Sequence, residues 1–175
     1  PEWHNDFKFI TSGRGIQTEN GILLHCLVNL ESGMHVFGSK DHGKSWFFID
    51  HPLAPADESK IVELSDNSLM VNSRTNNKGN RYVHTSNDAG KTWITTSDTE
   101  LIDPSCNASI ISHKFIEDGV EKNVLLFANA NSTTKRENMT IKLSYDDGET
   151  WSKGKTIYPG SSAYSSLTIL KNGDI

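Results

Sequence analysis

The chain has 175 residues, 35% of them hydrophobic, and a formal net charge of −5. That composition can supply one domain with a core, on the polar side of average. The acidic balance and the lack of any Lys/Arg block exclude a nucleic-acid or anionic-membrane surface, which needs clustered basic groups. No apolar run approaches the length of a membrane span.

Taken in order, the chain opens on a polar lead-in from Pro1, which is not an initiating Met, so an internal piece of a longer protein is expected. Residues 15–28 then read as strand, Asn20-Gly21 hairpin, strand, because Asn-Gly favours a type I′ turn. Met34 to Ser39 is a third strand and Trp46 to Asp50 a fourth. The same grammar follows with Ser59 to Leu64, a turn at 65–68, Leu69 to Arg74, and Arg81 to Thr85. A third unit runs from Ala108 to Ile111 through a loop at 117–119 to Val124–Phe127 and then Met139–Leu143. Ser165 to Leu170 and a turn at 171–174 begin a fourth.

Between the third and fourth strands of each unit lies one repeated octapeptide. It reads Ser-Lys-Asp-His-Gly-Lys-Ser-Trp from Ser39, Ser-Asn-Asp-Ala-Gly-Lys-Thr-Trp from Ser86, and Ser-Tyr-Asp-Asp-Gly-Glu-Thr-Trp from Ser144. An Asp that accepts hydrogen bonds from its own turn, followed by a Gly that tolerates positive φ, makes a self-bonded turn. The following Trp is suited to cover the turn and pack between neighbouring sheets. Each copy therefore reads as a structural staple. Repeated four-stranded antiparallel meanders without helical periodicity indicate an all-β propeller, with about three and a half blades in this chain.

Cys26 and Cys106 are far apart without ligand spacing and read as small buried hydrophobes rather than a disulfide. The seven histidines are dispersed with no pair at ligand spacing, so no transition-metal site is expected. Sequons at Asn107, Asn131 and Asn138 occur about as often as chance allows in such a composition.

These boxes on propeller blades resemble those of the sialidases, the neuraminidase family of glycoside hydrolases. Further stretches carry the resemblance in the family's order: residues 13–17, 57–64, Asn72-Ser73-Arg74, 135–140 and 162–167. It extends over nearly the whole chain, which it makes part of a single six-bladed catalytic domain (residues 1–175). By local motif Glu58 resembles the Glu that activates a tyrosine nucleophile, and Arg74 and Arg136 the second and third arginines that hold the sialic acid carboxylate. Tyr164 resembles a pocket-lining tyrosine, and Asn129 and Arg14 fall near the same end and border the pocket. The resemblance puts the first arginine and the acid/base Asp before Pro1 and the nucleophilic Tyr after Ile175, so the segment alone is expected to be inactive. Glu63, the rival carboxylate, sits mid-strand and fits ordinary alternation.

The strand order supports this grouping. Glu58 precedes the first strand of its unit, Arg74 ends the second, and Arg136 precedes the third strand of the next unit. In an up-and-down meander these points share one end of the sheets, and the boxes lie at the other. The resemblance implies an exo-sialidase that releases terminal sialic acid from glycoproteins, glycolipids or oligosaccharides with retention. It implies no cofactor, a secreted or cell-surface location, and the rest of the propeller as the segment's partner. The alternatives are a non-catalytic box propeller that binds glycans or proteins, and a trans-sialidase or intramolecular trans-sialidase on the same pocket.

Overall fold

A computed structural model describes residues 8–77 and 79–175. The described residues form strands, turns and loops, with no helix among them. Consequently none is long and apolar enough to cross a membrane.

Three antiparallel sheets follow one another along the chain. The first contains β1 (Lys8–Ile10), β2 (Ile16–Gln17), β3 (Leu23–Asn29), β4 (Gly33–Ser39) and β5 (Phe47–Phe48). The second contains β6 (Ser59–Glu63), β7 (Leu69–Ser73), β8 (Gly79–Ser86) and β9 (Ile94–Asp103), and the third β10 (Ser109–Glu117), β11 (Val120–Ala130), β12 (Glu137–Ser144) and β13 (Lys155–Ser161). Within the second and third sheets strand order follows chain order, as in a meander. Neighbouring sheets meet at β6, which touches β2 and β3 of the first sheet on one side and β10 of the third on the other. That radial arrangement is the β-propeller read from the repeat.

The hydrophobic cores lie between blades. Leu24, Cys26, Met34 and Val36 of the first sheet pack on Ile61, Leu69 and Val71 of the second. Val62, Met70, Val83 and Leu101 pack on Ile110, Leu125 and Phe127 of the third. Alternation explains the two-sidedness: Ile61 and Val62 are adjacent on β6 and face opposite neighbours. Each fully buried aliphatic or aromatic side chain contributes about 1.5–3 kcal/mol, so adjacent blades stabilise one another. Cys26 and Cys106 are buried free thiols, as expected, and burial pushes Cys26 up to about 12.

Two strand assignments change. Lys8–Ile10, read as part of the lead-in, is a strand, because β2 covers only Leu23 and Leu24 of β3 and leaves Leu27–Asn29 for β1 to pair. Ser165–Leu170 is not in a strand, since none of the described residues offers it a ladder. Its Leu167 and Ile169 instead pack on Ile111, Val124 and Leu126, and a turn closes with Leu170 N donating to Asp174 O at 2.8 Å.

The three boxes have one geometry. In the second, Thr92 N and Oγ1 donate to the Asp88 carboxylate at 2.9 and 2.6 Å, Ser86 Oγ donates to it at 2.8 Å, and Gly90 N donates to Ser86 Oγ at 2.8 Å. Asp41 and Asp146 repeat these bonds. Positive φ falls on two successive residues, Ala89 (60°) and Gly90 (87°) in this copy, so the turn demands more than its glycine. Trp93 and Trp151 pack against the two inter-blade cores. Trp46 departs from that role: it is 51% exposed, touching Phe37 of its own sheet, because no further sheet flanks it among the described residues.

Hydroxyl and amide bonds from the seventh box residue (Ser45, Thr92 or Thr150) hold the three Asp carboxylates at about 2, against an ordinary 3.8. A depressed folded-state pKa gives stability that is complete above the ordinary carboxylate range and lost as pH falls through the folded value. Thermal unfolding of the full-length protein should therefore weaken between about pH 4 and about pH 2, with a shallower dependence in Asp88→Asn. A melting temperature flat across that window would contradict this account of the boxes.

Candidate functional site

Strand register builds the site. β6 and β7 pair with Ser59 opposite Ser73, and the ladder continues one step further. Asp57 N donates to Arg74 O at 3.0 Å and Arg74 N to Glu58 O at 3.2 Å, so Glu58 and Arg74 are cross-strand neighbours. Their side chains meet, with Arg74 Nη1 3.1 Å from Glu58 Oε2. Asp57 completes the group: its carboxylate accepts Glu58 N at 2.7 Å and lies 3.4 Å from Arg74 Nη2. Burial alone would disfavour the Arg74 cation, but Asp57 and Glu58 outweigh it and raise its pKa.

The third blade supplies the rest from the same end. Arg136 precedes β12, and its carbonyl accepts Ser162 N at 2.9 Å, extending the β12–β13 ladder. After Ser162 the chain leaves the outer strand and runs inward across its own blade. Ser165 Oγ donates to Ala128 O at 2.6 Å and Leu167 N to Ser109 Oγ at 3.0 Å, which fixes that path over β11 and β10. It delivers Tyr164 to the second blade, where its hydroxyl donates to Glu58 Oε2 at 2.5 Å. Arg136 lies over the Tyr164 ring, 5.9 Å from its centroid.

Thus Glu58, Arg74, Arg136 and Tyr164 come together. Among the described residues the hydroxyl that meets Glu58 is that of Tyr164, which the resemblance gave as a pocket-lining residue. Asn129 is 1% exposed and its amide donates to Ile102 O at 2.8 Å, a tie between β11 and β9. Arg14 is exposed and donates to Thr168 Oγ1 at 2.9 Å. The boxes follow the opposite ends of β4, β8 and β12, as the meander requires.

The Tyr164 phenol pKa is raised, first by partial burial and then by its bond to Glu58, while Arg74 and Arg136 pull the other way. The hydroxyl is therefore a phenol at neutral pH, bonded to a carboxylate placed to take its proton. Two guanidinium groups beside it offer charge-assisted, bidentate bonds to an anion.

Three supporting features escaped the sequence reading. Lys60, 4% exposed, donates to Ser12 O and, at 2.9 Å, to Asn107 Oδ1, joining all three blades near the site. Burial pulls its pKa down to about 8. Asn107 also donates to Ser12 O at 3.0 Å, so this sequon is committed inside the fold. Arg81 is fully buried against Asp103, Asn72 and Cys106. Nothing in the local pattern before Tyr82 distinguishes it from a surface arginine.

The whole described chain matches a family known as the BNR repeat-like domain, over residues 3–175. It is 38% identical to a sialidase of Micromonospora viridifaciens across 99% of this chain and 28% of that protein. It is 35% identical to a sialidase of Bacteroides fragilis (strain YCH46) across 87% of this chain and 29% of that protein. The chain thus spans under a third of these curated relatives' length. Among solved structures, the Hadza microbial sialidase Hz136 superposes with a TM-score of 0.82 at 31% identity, across 92% of this chain and 33% of that one.

Proposed function

The chain belongs to the BNR repeat-like sialidase family, and on that premise we propose that its full-length protein is an exo-sialidase with Tyr164 as nucleophile and Glu58 as its base. The observation that carries this reading is the 2.5 Å bond from the Tyr164 hydroxyl to Glu58, flanked by Arg74 and Arg136.

The chemistry follows from the substrate. Sialic acid bears a carboxylate on its anomeric carbon, which the two arginines bind. A carboxylate nucleophile would be repelled by that group, whereas a neutral phenol is not, and sialidases depart from the two-carboxylate glycosidase scheme. As Tyr164 Oη attacks, its proton passes to Glu58, a bond forms to the anomeric carbon, and the bond to the leaving oxygen breaks. Water then displaces Tyr164 from the same face as the departed group, giving net retention. An acid for the leaving oxygen and the first arginine are assigned to the remainder of the full-length protein, with which residues 1–175 would form one catalytic domain. Terminal sialic acids of glycoproteins, glycolipids or oligosaccharides are the substrates, at the cell surface or after secretion.

The test is turnover of a fluorogenic sialoside by the full-length protein, with products identified. Glu58→Gln should lower kcat by about 10²–10⁴-fold, the usual worth of a positioned base. Product identity separates free sialic acid from transfer or an internal anhydro sugar. Wild-type-like turnover by Glu58→Gln would remove Glu58 from the mechanism.

A further inference from the structure

The carbonyl oxygen of Ser105 accepts two guanidinium groups, Arg74 Nη1 at 3.3 Å and Arg136 Nη2 at 2.9 Å. These arginines come from different blades, at the end of β7 and just before β12. One oxygen shared between them sets their spacing, and its negative dipole end offsets their mutual repulsion. Ser105 reaches this position through a φ of 63°, the left-handed region that non-glycine residues seldom occupy.

Buried groups hold that conformation. Asp103 Oδ1 accepts Cys106 N at 3.0 Å and Asp103 Oδ2 accepts Arg81 Nη1 at 2.9 Å. The same Arg81 nitrogen donates to Cys106 O at 2.8 Å, and Arg81 Nε donates to Asn72 Oδ1 at 2.7 Å. Arg81 and Cys106 are fully buried and Asp103 is 2% exposed. The turn from Asp103 to Cys106 is thus fixed at both ends by one buried ion pair.

We propose that this turn is a positioning device: the Arg81–Asp103 pair fixes the Ser105 carbonyl, which presents Arg74 and Arg136 to the substrate carboxylate at one spacing. The inference rests on the sialic acid reading of the site. A carboxylate is planar and rigid, so two guanidiniums bind it well only when their separation is set beforehand. Asp103, Arg81 and Ser105 act through the arginines and do not touch substrate. Their influence should therefore appear in recognition of the carboxylate and not in affinity for the rest of the sugar.

The test measures, by calorimetry on the full-length protein, affinity for a 2,3-unsaturated sialic acid and for its methyl ester. Wild type favours the acid. Ser105→Val, whose β-branched side chain resists positive φ, should reduce that preference about tenfold, with ester affinity held within about twofold. Asp103→Asn loosens the clamp from within, moves the ratio the same way, and decides the question if the valine variant does not fold. Asp88→Ala, in the box at the far end of the second blade, lowers the melting temperature and leaves the ratio at its wild-type value. An unchanged ratio in the Ser105 and Asp103 variants overturns this inference and leaves the functional reading standing. A wild type indifferent to acid and ester overturns the functional reading and this inference with it.

Discussion

Tyr164→Phe in the full-length protein should lower kcat on a fluorogenic sialoside by about 10³-fold or more, with a far smaller change in KM. The substitution removes one oxygen and keeps the ring that Arg136 covers at 5.9 Å, so the pocket wall survives. What disappears is the hydroxyl bonded to Glu58 at 2.5 Å, which no other described side chain supplies. Loss confined to kcat is the signature of a group that acts on the reacting atoms. A phenylalanine variant within tenfold of wild type would return Tyr164 to the pocket wall.

Asp103→Ala should destabilise the full-length protein by about 3–5 kcal/mol, the usual cost of leaving a buried partner charge uncompensated. Arg81 would lose its carboxylate while remaining fully buried, with Asn72, the Cys106 carbonyl and the Phe127 face as its remaining neighbours. Burial already pulls the Arg81 pKa down, with Asp103 as the main opposing influence. Cys106 N would lose its acceptor as well. Denaturant unfolding with a fixed m-value measures the loss, and a change below about 1 kcal/mol would mean that the pair is not a clamp.

What the sequence made legible was local. Each box closes on itself within eight residues, and the Glu58–Arg74 pair follows from a two-strand hairpin whose ends are set by the turn at 65–68. Long-range closure was not legible. Tyr164 reaches Glu58 only because residues 162–169 turn inward over β11 and β10, and Glu58 lies 106 residues earlier in the chain. The resemblance put the nucleophilic tyrosine after Ile175, and no local pattern in the sequence marks that inward crossing. Arg81 and Ser105 were hidden for a similar reason. Burial of an arginine is decided by Asp103 and Cys106 across a bulged ladder, and a positive φ at serine leaves no mark in residue type.

Incubating the full-length protein with a 2,3-difluorinated sialic acid, then locating the added mass by peptide mapping, asks the most direct question. Fluorine slows breakdown of a glycosyl-enzyme more than its formation, so a covalent nucleophile stays labelled. The expected result is one sialosyl adduct on the peptide carrying Tyr164, absent from Tyr164→Phe. An adduct on any other residue, or turnover of sialosides with no adduct at all, would contradict Tyr164 as the nucleophile.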